Sequence, residues 1–173
     1  MGNWRASVVE NFACSICGEE HDGLIADWAY KLPDEVWAIP EAERSKAARF
    51  DDDLCQFDNR YFFRCVLSVP LGAEKGAFGW GVWAEVDWPT FQRYIDIYDV
   101  DGTFEPLRAG KIANALMHYP GAFGASVVIQ FGDPTKRPAL TLNSTDESRL
   151  AREQRAGINR SRHHEIVKIV QRG

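Results

Sequence analysis

Two runs of residues leave this chain little choice of fold. Positions 61–70 (YFFRCVLSVP) and 78–87 (FGWGVWAEVD) are rich in aromatic and β-branched side chains, which suit a pleated, half-buried surface. In the second run Phe78, Trp80, Val82, Ala84 and Val86 alternate onto one face, as a strand requires. The connection over 71–77 holds Gly72 and Gly76 and suits an antiparallel turn. Gly79 and Gly81 leave the opposite face thin, which predicts a close backbone or aromatic neighbour there. Trp80 and Trp83 point to opposite faces, so one of them leaves the main core. It either packs under the helices or lines a binding surface, and packing is favoured.

The rest of the chain arranges itself around this pair. Leu32-Pro33-Asp34 and Ile39-Pro40 punctuate an extended linker, and 41–50 reads as a short helix after Pro40, ended by Asp51-Asp52-Asp53. Asp87 can cap the next helix, with Pro89 in its first turn; Phe91, Tyr94, Ile95 and Tyr98 form an amphipathic stripe that packs on the sheet. Residues 102–120 suggest no more than a short strand and a turn. Residues 125–131 and 139–142 read as two more strands, joined through Gly132-Asp133-Pro134. Ser144-x-x-Glu147 has the form of a capping box, Gly157 suits a helix C′ position, and Asn159 can cap a final helix holding Ile166, Val167, Ile169 and Val170. Strands with helices at intervals, and no regular βαβ alternation, predict an α+β fold. It would be an antiparallel sheet with helices on one side and an N-terminal zinc-knuckle-like segment. One domain over 1–173 is expected, with knuckle and linker over 12–56, mainly sheet over 57–143 and a helical C-terminus over 144–173.

A chain of 173 residues with 45% hydrophobic content can build its core without a metal. No run approaches the ~20 apolar residues that span a membrane, and the first five residues lack the apolar segment of a secretory signal. The expected location is cytoplasmic, with reduced cysteines. The net charge of −5 hides an asymmetry: residues 149–173 carry seven Lys/Arg against Glu153 and Glu165, a net of +5. A basic tail docked on an acidic body is the favoured account.

One segment carries a definite chemistry. Cys14 and Cys17 are separated by two residues and followed by Gly18, with His21 four residues beyond the second thiol and Cys55 further on. Three thiols and an imidazole make a soft tetrahedral set for Zn²⁺. Cys14, Cys17, Cys55 and His21 are therefore the candidate metal ligands, with Glu20, Asp22 or Asp53 able to replace His21. Four protein ligands would make the zinc structural. Three would leave a position for water, and a small hydrolase or lyase becomes conceivable. A redox role for the Cys-x-x-Cys pair lacks the βαβ surroundings it needs. His163-His164-Glu165-x-x-Lys168 misses the second histidine of a zinc-protease helix, and no nucleophile elbow, P-loop or dinucleotide fingerprint occurs. The last two helices invite comparison with a helix-turn-helix, but Arg152, Glu153 and His163 stand where apolar or small residues are wanted.

Taken in order, these landmarks resemble an uncharacterised bacterial family, domain of unknown function 2199. They comprise Cys14-x-x-Cys17-Gly18-x-x-His21, Glu43-Arg44, Asp53-x-Cys55, Phe62/Phe63 with Arg64, Pro70 and Trp80-Gly81-Val82-Trp83. Further along come Tyr119-Pro120, Arg137-Pro138 and Gln154-x-x-Gly157-Ile158. The resemblance runs from Phe12 to the last helix and implies a bacterial protein with a shared fold, but no activity. Two departures stand out. Cys65 takes the place of a glycine, which makes it a core substitution and not a ligand; Ser148-Arg149 replaces a His-Pro pair. The expected function is a non-enzymatic interaction or binding module with a structural zinc, whose partner is another protein or an unknown ligand. A small zinc enzyme is the alternative, and nucleic-acid binding through the basic C-terminal helices ranks below it.

Overall fold

In a computed structural model the chain is described over residues 5–8, 12–13, 20–21, 25–72 and 76–172, with side chains over 27–72 and 76–169. In chain order the elements are β1 (Arg5–Val8), β2 (Phe12–Ala13), β3 (Glu20–His21), β4 (Ile25–Ala29), α1 (Asp34–Trp37) and α2 (Glu41–Ala47). Then follow β5 (Ala48–Phe50), β6 (Leu54–Phe57), β7 (Arg60–Pro70), β8 (Ala77–Val86) and α3 (Trp88–Asp96). The chain continues through β9 (Arg108–Ile112), β10 (Ser126–Gln130), β11 (Ala139–Leu142), α4 (Arg149–Ala156) and α5 (Arg160–Arg172).

The two aromatic runs are β7 and β8, paired antiparallel from Tyr61↔Val86 to Pro70↔Ala77. Strands β8, β9, β10 and β11 then continue as an antiparallel meander. After five alternating strands the last runs in the same direction as the first. Closure therefore has to be parallel, and β11 meets β7 through Ala139↔Val66. The expected antiparallel sheet is thus corrected: it closes through a parallel pairing into a small barrel, and the edges among the described strands are β1 and β5. A second parallel pairing joins β4 to β8 at Gly79 to Gly81, with β1 outside β4, while β6 and β5 extend the other side of β7.

Alternation fills the barrel. Phe63, Cys65, Leu67 and Val69 lie in register with Ala84, Val82, Trp80 and Phe78, and all eight are fully buried. Val127, Ile129, Leu140 and Leu142 join them from β10 and β11. Helix α3 docks through Tyr94, whose ring lies 4.6 Å from Phe63 and 5.4 Å from Phe131. Its start is as expected: Asp87 accepts a hydrogen bond from the Thr90 N–H. Only half of its stripe packs, however, because Ile95 and Tyr98 are exposed and Ile97 is buried in their place.

The outer face of β7 and β8 is covered by residues 30–38, which the sequence left as linker. Asn114, fully buried, holds this cover down. Its Oδ1 accepts from the Trp83 N–H at 2.8 Å, while its Nδ2 donates to Leu32 O and Asp34 Oδ1. Trp83 is the tryptophan that leaves the barrel interior; it is buried beneath this segment and donates through Nε1 to Tyr30 O. The helix over 41–50 stops at Ala47, because Ala48 to Phe50 pair with β6, a strand the sequence did not suggest. The Ser144 capping box does not form: Ser148 caps α4 and accepts from the Ala151 N–H. Gly157, at φ 80°, and Asn159, which accepts from the Arg162 N–H, end α4 and cap α5 as expected.

Candidate functional site: an arginine pocket on the outer face of the barrel

The residues singled out for zinc divide by position. Cys14, Cys17 and the His21 side chain lie outside the described residues; the His21 backbone pairs with Phe12 in the β2–β3 hairpin. Cys55 sits in β6 opposite Phe62 and is fully buried. Burial, with a smaller contribution from Asp51, pushes its thiol up to about 12. Cys65 is a core residue in register with Val82, as expected. His163 is buried on α5 with its ring 5.7 Å from Phe78, so it serves packing. Among the described residues, no group of three His, Cys, Asp or Glu is placed to hold a metal.

The carboxylates beside Cys55 are committed elsewhere. Asp51 closes its own turn, its Oδ1 accepting from the N–H groups of Asp53 and Leu54. Asp53 accepts from Arg137 Nε at 2.7 Å through Oδ1 and from the Tyr98 hydroxyl at 2.8 Å through Oδ2. Burial alone would raise the Asp53 carboxyl, but Tyr98 and Arg137 outweigh it and hold the group below the ordinary aspartate value. Asp53 is therefore ionised, and it orients Arg137.

A pocket of about 560 Å³ opens at this pair. Val66 and Ser68 line it from β7, Tyr94 from α3 and Tyr98 from the turn that follows α3, and Lys136 stands beside Arg137. Arg137 uses only Nε on Asp53, which leaves the forked end of the guanidinium without a hydrogen bond among the described residues. A guanidinium presented in this way matches the two oxygens of a carboxylate or phosphate. The Tyr94 hydroxyl also makes no hydrogen bond there, and burial pushes its pKa up, so it remains a donor. Tyr98 is raised as well, chiefly by its bond to Asp53. A carboxylate of depressed pKa is a weak general base, and tyrosines of raised pKa are weak nucleophiles. The arrangement suits holding an oxyanion better than transforming one.

A second depression of about 520 Å³ lies next along the same strand. Arg64, Val66 and Ser68 alternate onto one face of β7, and the Arg64 N–H donates to Asp53 O at 2.9 Å. Here Arg44 stacks 4.0 Å from the Trp37 ring while donating to the carbonyls of Trp37 and Ile39. Arg64, only 5% exposed, lies 5.1 Å from the Trp83 ring and donates to Lys31 O. Glu41, Asp51 and Asp52 line the same depression and offset these cations. Several features quoted for the resemblance (Arg44, Asp53, Cys55, Arg64, Trp83 and Arg137) thus gather around one face of β6, β7 and β8.

The basic C-terminus, by contrast, is tied up in part, through three of its seven cations. Glu153 accepts from Arg149 and Arg162, Arg162 is buried, and Arg155 donates to Asp146 O. No helix among the described residues is long and apolar enough to cross a membrane. Comparison with curated proteins and with solved structures finds no match. The model of an uncharacterised protein family conserved in bacteria, DUF2199, matches residues 13–158, and the chain belongs to that family.

Proposed function

We propose that this protein is a non-enzymatic binding module that holds a small ligand bearing a carboxylate or phosphate in the Asp53–Arg137 pocket. One observation carries this: Arg137 is fixed through Nε by an ionised Asp53, its two Nη atoms make no hydrogen bond among the described residues, and it lines a pocket with no competing carboxylate besides Asp53. Lys136 and the Tyr94 hydroxyl supply the further charge and donor. Titration with inorganic phosphate and with acetate, followed by amide chemical shifts, tests it. Saturable shifts at Ser68, Tyr94 and Arg137 are expected, and Arg137→Gln should weaken the affinity at least about tenfold, as losing a charge-assisted bond of about 1.5 kcal/mol or more would. Absence of binding by both anions would overturn the reading.

A structural zinc at Cys14, Cys17, Cys55 and His21 belongs to the same proposal and is supported by the ligand spacing. A thiol at about 12 belongs to Cys55 without an ion, and a bound dication reverses that balance. Elemental analysis of protein purified without a metal-affinity tag should find about one zinc per chain, depleted in Cys14→Ser and in Cys55→Ser. Zinc retained in Cys55→Ser would remove that thiol from the set. An open zinc acting as a hydrolase beside Asp53 is the weaker alternative, since both Asp53 oxygens already serve Arg137 and Tyr98.

A further inference from the structure

The loop after α3 presents apolar side chains to solvent on a backbone that is firmly held. Phe104 is 98% exposed and Leu107 63%, with Val100 also well exposed nearby in sequence. Asp101 Oδ1 accepts from the N–H and hydroxyl of Thr103. The Gly102 N–H donates to Gly132 O, and the Glu105 N–H to Gly102 O. The Glu105 carboxylate is gripped by Arg93 at 2.5 and 3.0 Å and faces Arg108. Gln130 Nε2 reaches the carbonyls of Thr103 and Glu105 at 3.4 and 3.3 Å. A phenylalanine held this way loses little conformational freedom on docking, which is the property of an interface anchor. The segment 88–108 carries Arg93 and Arg108 against Asp96, Asp99, Asp101 and Glu105, a net of −2.

The opposite character lies at the other end of the chain. The turn between α4 and α5 borders a pocket of about 360 Å³ lined by Leu71, Ala156, Ile158, Arg160 and His163, among others. Ile158 and His163 are buried at its base, and the pocket belongs to the stretch 149–173 with its net of +5. An apolar anchor with an acidic rim and an apolar pocket in a basic surround are thus both present on every copy.

We infer that Phe104 of one molecule docks into the α4–α5 pocket of a second copy, giving a head-to-tail contact. Such a contact closes as a two-fold dimer where each Phe104 enters the other molecule's pocket, and otherwise propagates until a ring forms or the ends stay open. The apolar anchor supplies affinity, and the opposed charges set orientation and salt dependence. No residue of the Asp53–Arg137 pocket takes part, so this inference stands or falls apart from the proposed function.

Sedimentation velocity over a concentration series, at low and high salt, is the test. Wild type should self-associate as concentration rises, and less so at high salt. Phe104→Ser, at a position that makes no internal packing, should keep the wild-type circular dichroism spectrum and weaken association about tenfold or more. Ala156→Glu, at an exposed position on the pocket wall, should do the same from the other side. Mixing the two variants leaves one intact anchor and one intact pocket, so a one-to-one pair should form and grow no further. A wild type that stays monomeric at its highest soluble concentration would overturn the inference. So would unchanged association of Phe104→Ser, or a mixture that fails to pair.

Discussion

Glu153→Ala is expected to cost about 3 kcal/mol of stability, the low end of what breaking a buried ion pair costs, and to lower Tm by about 6–12 °C. Glu153 is the centre of the C-terminal packing. Its Oε1 accepts from Arg149 at 2.8 Å and from Arg162 at 2.9 Å, and its Oε2 accepts from the Tyr119 hydroxyl. Arg162 is 8% exposed, so the variant leaves a guanidinium in the interior with only Glu165, at 3.1 Å, as a charged partner. Alanine is the best helix former, so the loss cannot be assigned to the propensity of α4. Glu165→Ala, which removes the exposed partner, should cost no more than about 0.5 kcal/mol. Adding Arg162→Met to Glu153→Ala should recover part of the loss, because the stranded charge is gone. Chemical denaturation of the four proteins decides the matter: a loss below about 1 kcal/mol in Glu153→Ala would mean that solvent already screens Arg162.

The same carboxylate contributes to acid sensitivity. Burial pushes the Glu153 carboxyl up, but the bonds from Tyr119, Arg149 and Arg162 outweigh this and bring it below the ordinary glutamate value of 4.5. A group depressed in the folded state contributes stability that is complete above its unfolded pKa and is lost as pH falls through the folded one. Wild type should therefore lose this contribution below about pH 4.5, and Glu153→Ala should show a shallower acid limb.

Local signals in the sequence were legible wherever they concerned neighbours along the chain. Asp87 before Trp88-Pro89 marks a helix start whatever the tertiary context, and Gly157 with Asn159 marks a turn between helices. The register of β7 with β8 follows from two apolar faces and a short connection. Competing local signals were decided by burial. Ser144 and Ser148 can each cap a helix, and Ser148 prevails because α4 then buries Leu150 and Ala151. Residues 48–50 favour helix from the preceding residues, but pairing with β6 offers a ladder that α2, with no buried residue, cannot match. Barrel closure was not legible, since it depends on one parallel bridge between strands far apart in sequence. Neither was the Asp53 site, whose partners Arg137 and Tyr98 lie 84 and 45 positions away. Arg137 stood in the sequence as a landmark of the resemblance and Tyr98 as part of an amphipathic stripe, but neither signal joins them to Asp53; only the fold brings them to one carboxylate.

The closeness that two glycines announced can be tested at a single carbon atom. At Gly81 an added Cβ would meet the Ala29 Cβ at 2.6 Å and its Cα at 3.0 Å, whereas at Gly79 it would meet the Asp27 Cβ at an ordinary 3.4 Å. Both positions lie in β8 against the parallel strand β4. Replacing glycine in a strand normally restricts the unfolded chain and favours folding, where the site has room. Gly79→Ala has that room and should change stability by no more than about 0.5 kcal/mol. Gly81→Val does not, and the obstacle includes backbone, which cannot turn aside as a side chain can. Strand β4 would have to move away, loosening the bond from the Tyr30 N–H to Gly81 O at 2.8 Å and that from Trp83 Nε1 to Tyr30 O at 3.1 Å. Overpacking of this kind costs about 1–3 kcal/mol, and the upper part of the range is expected because two hydrogen bonds move with the strand. Amide exchange should localise the damage, with Tyr30 losing protection in Gly81→Val while the β9–β10 ladder keeps it. Equal stability of the two variants would mean that β4 is seated loosely on β8 and that close backbone approach does not dictate glycine at position 81.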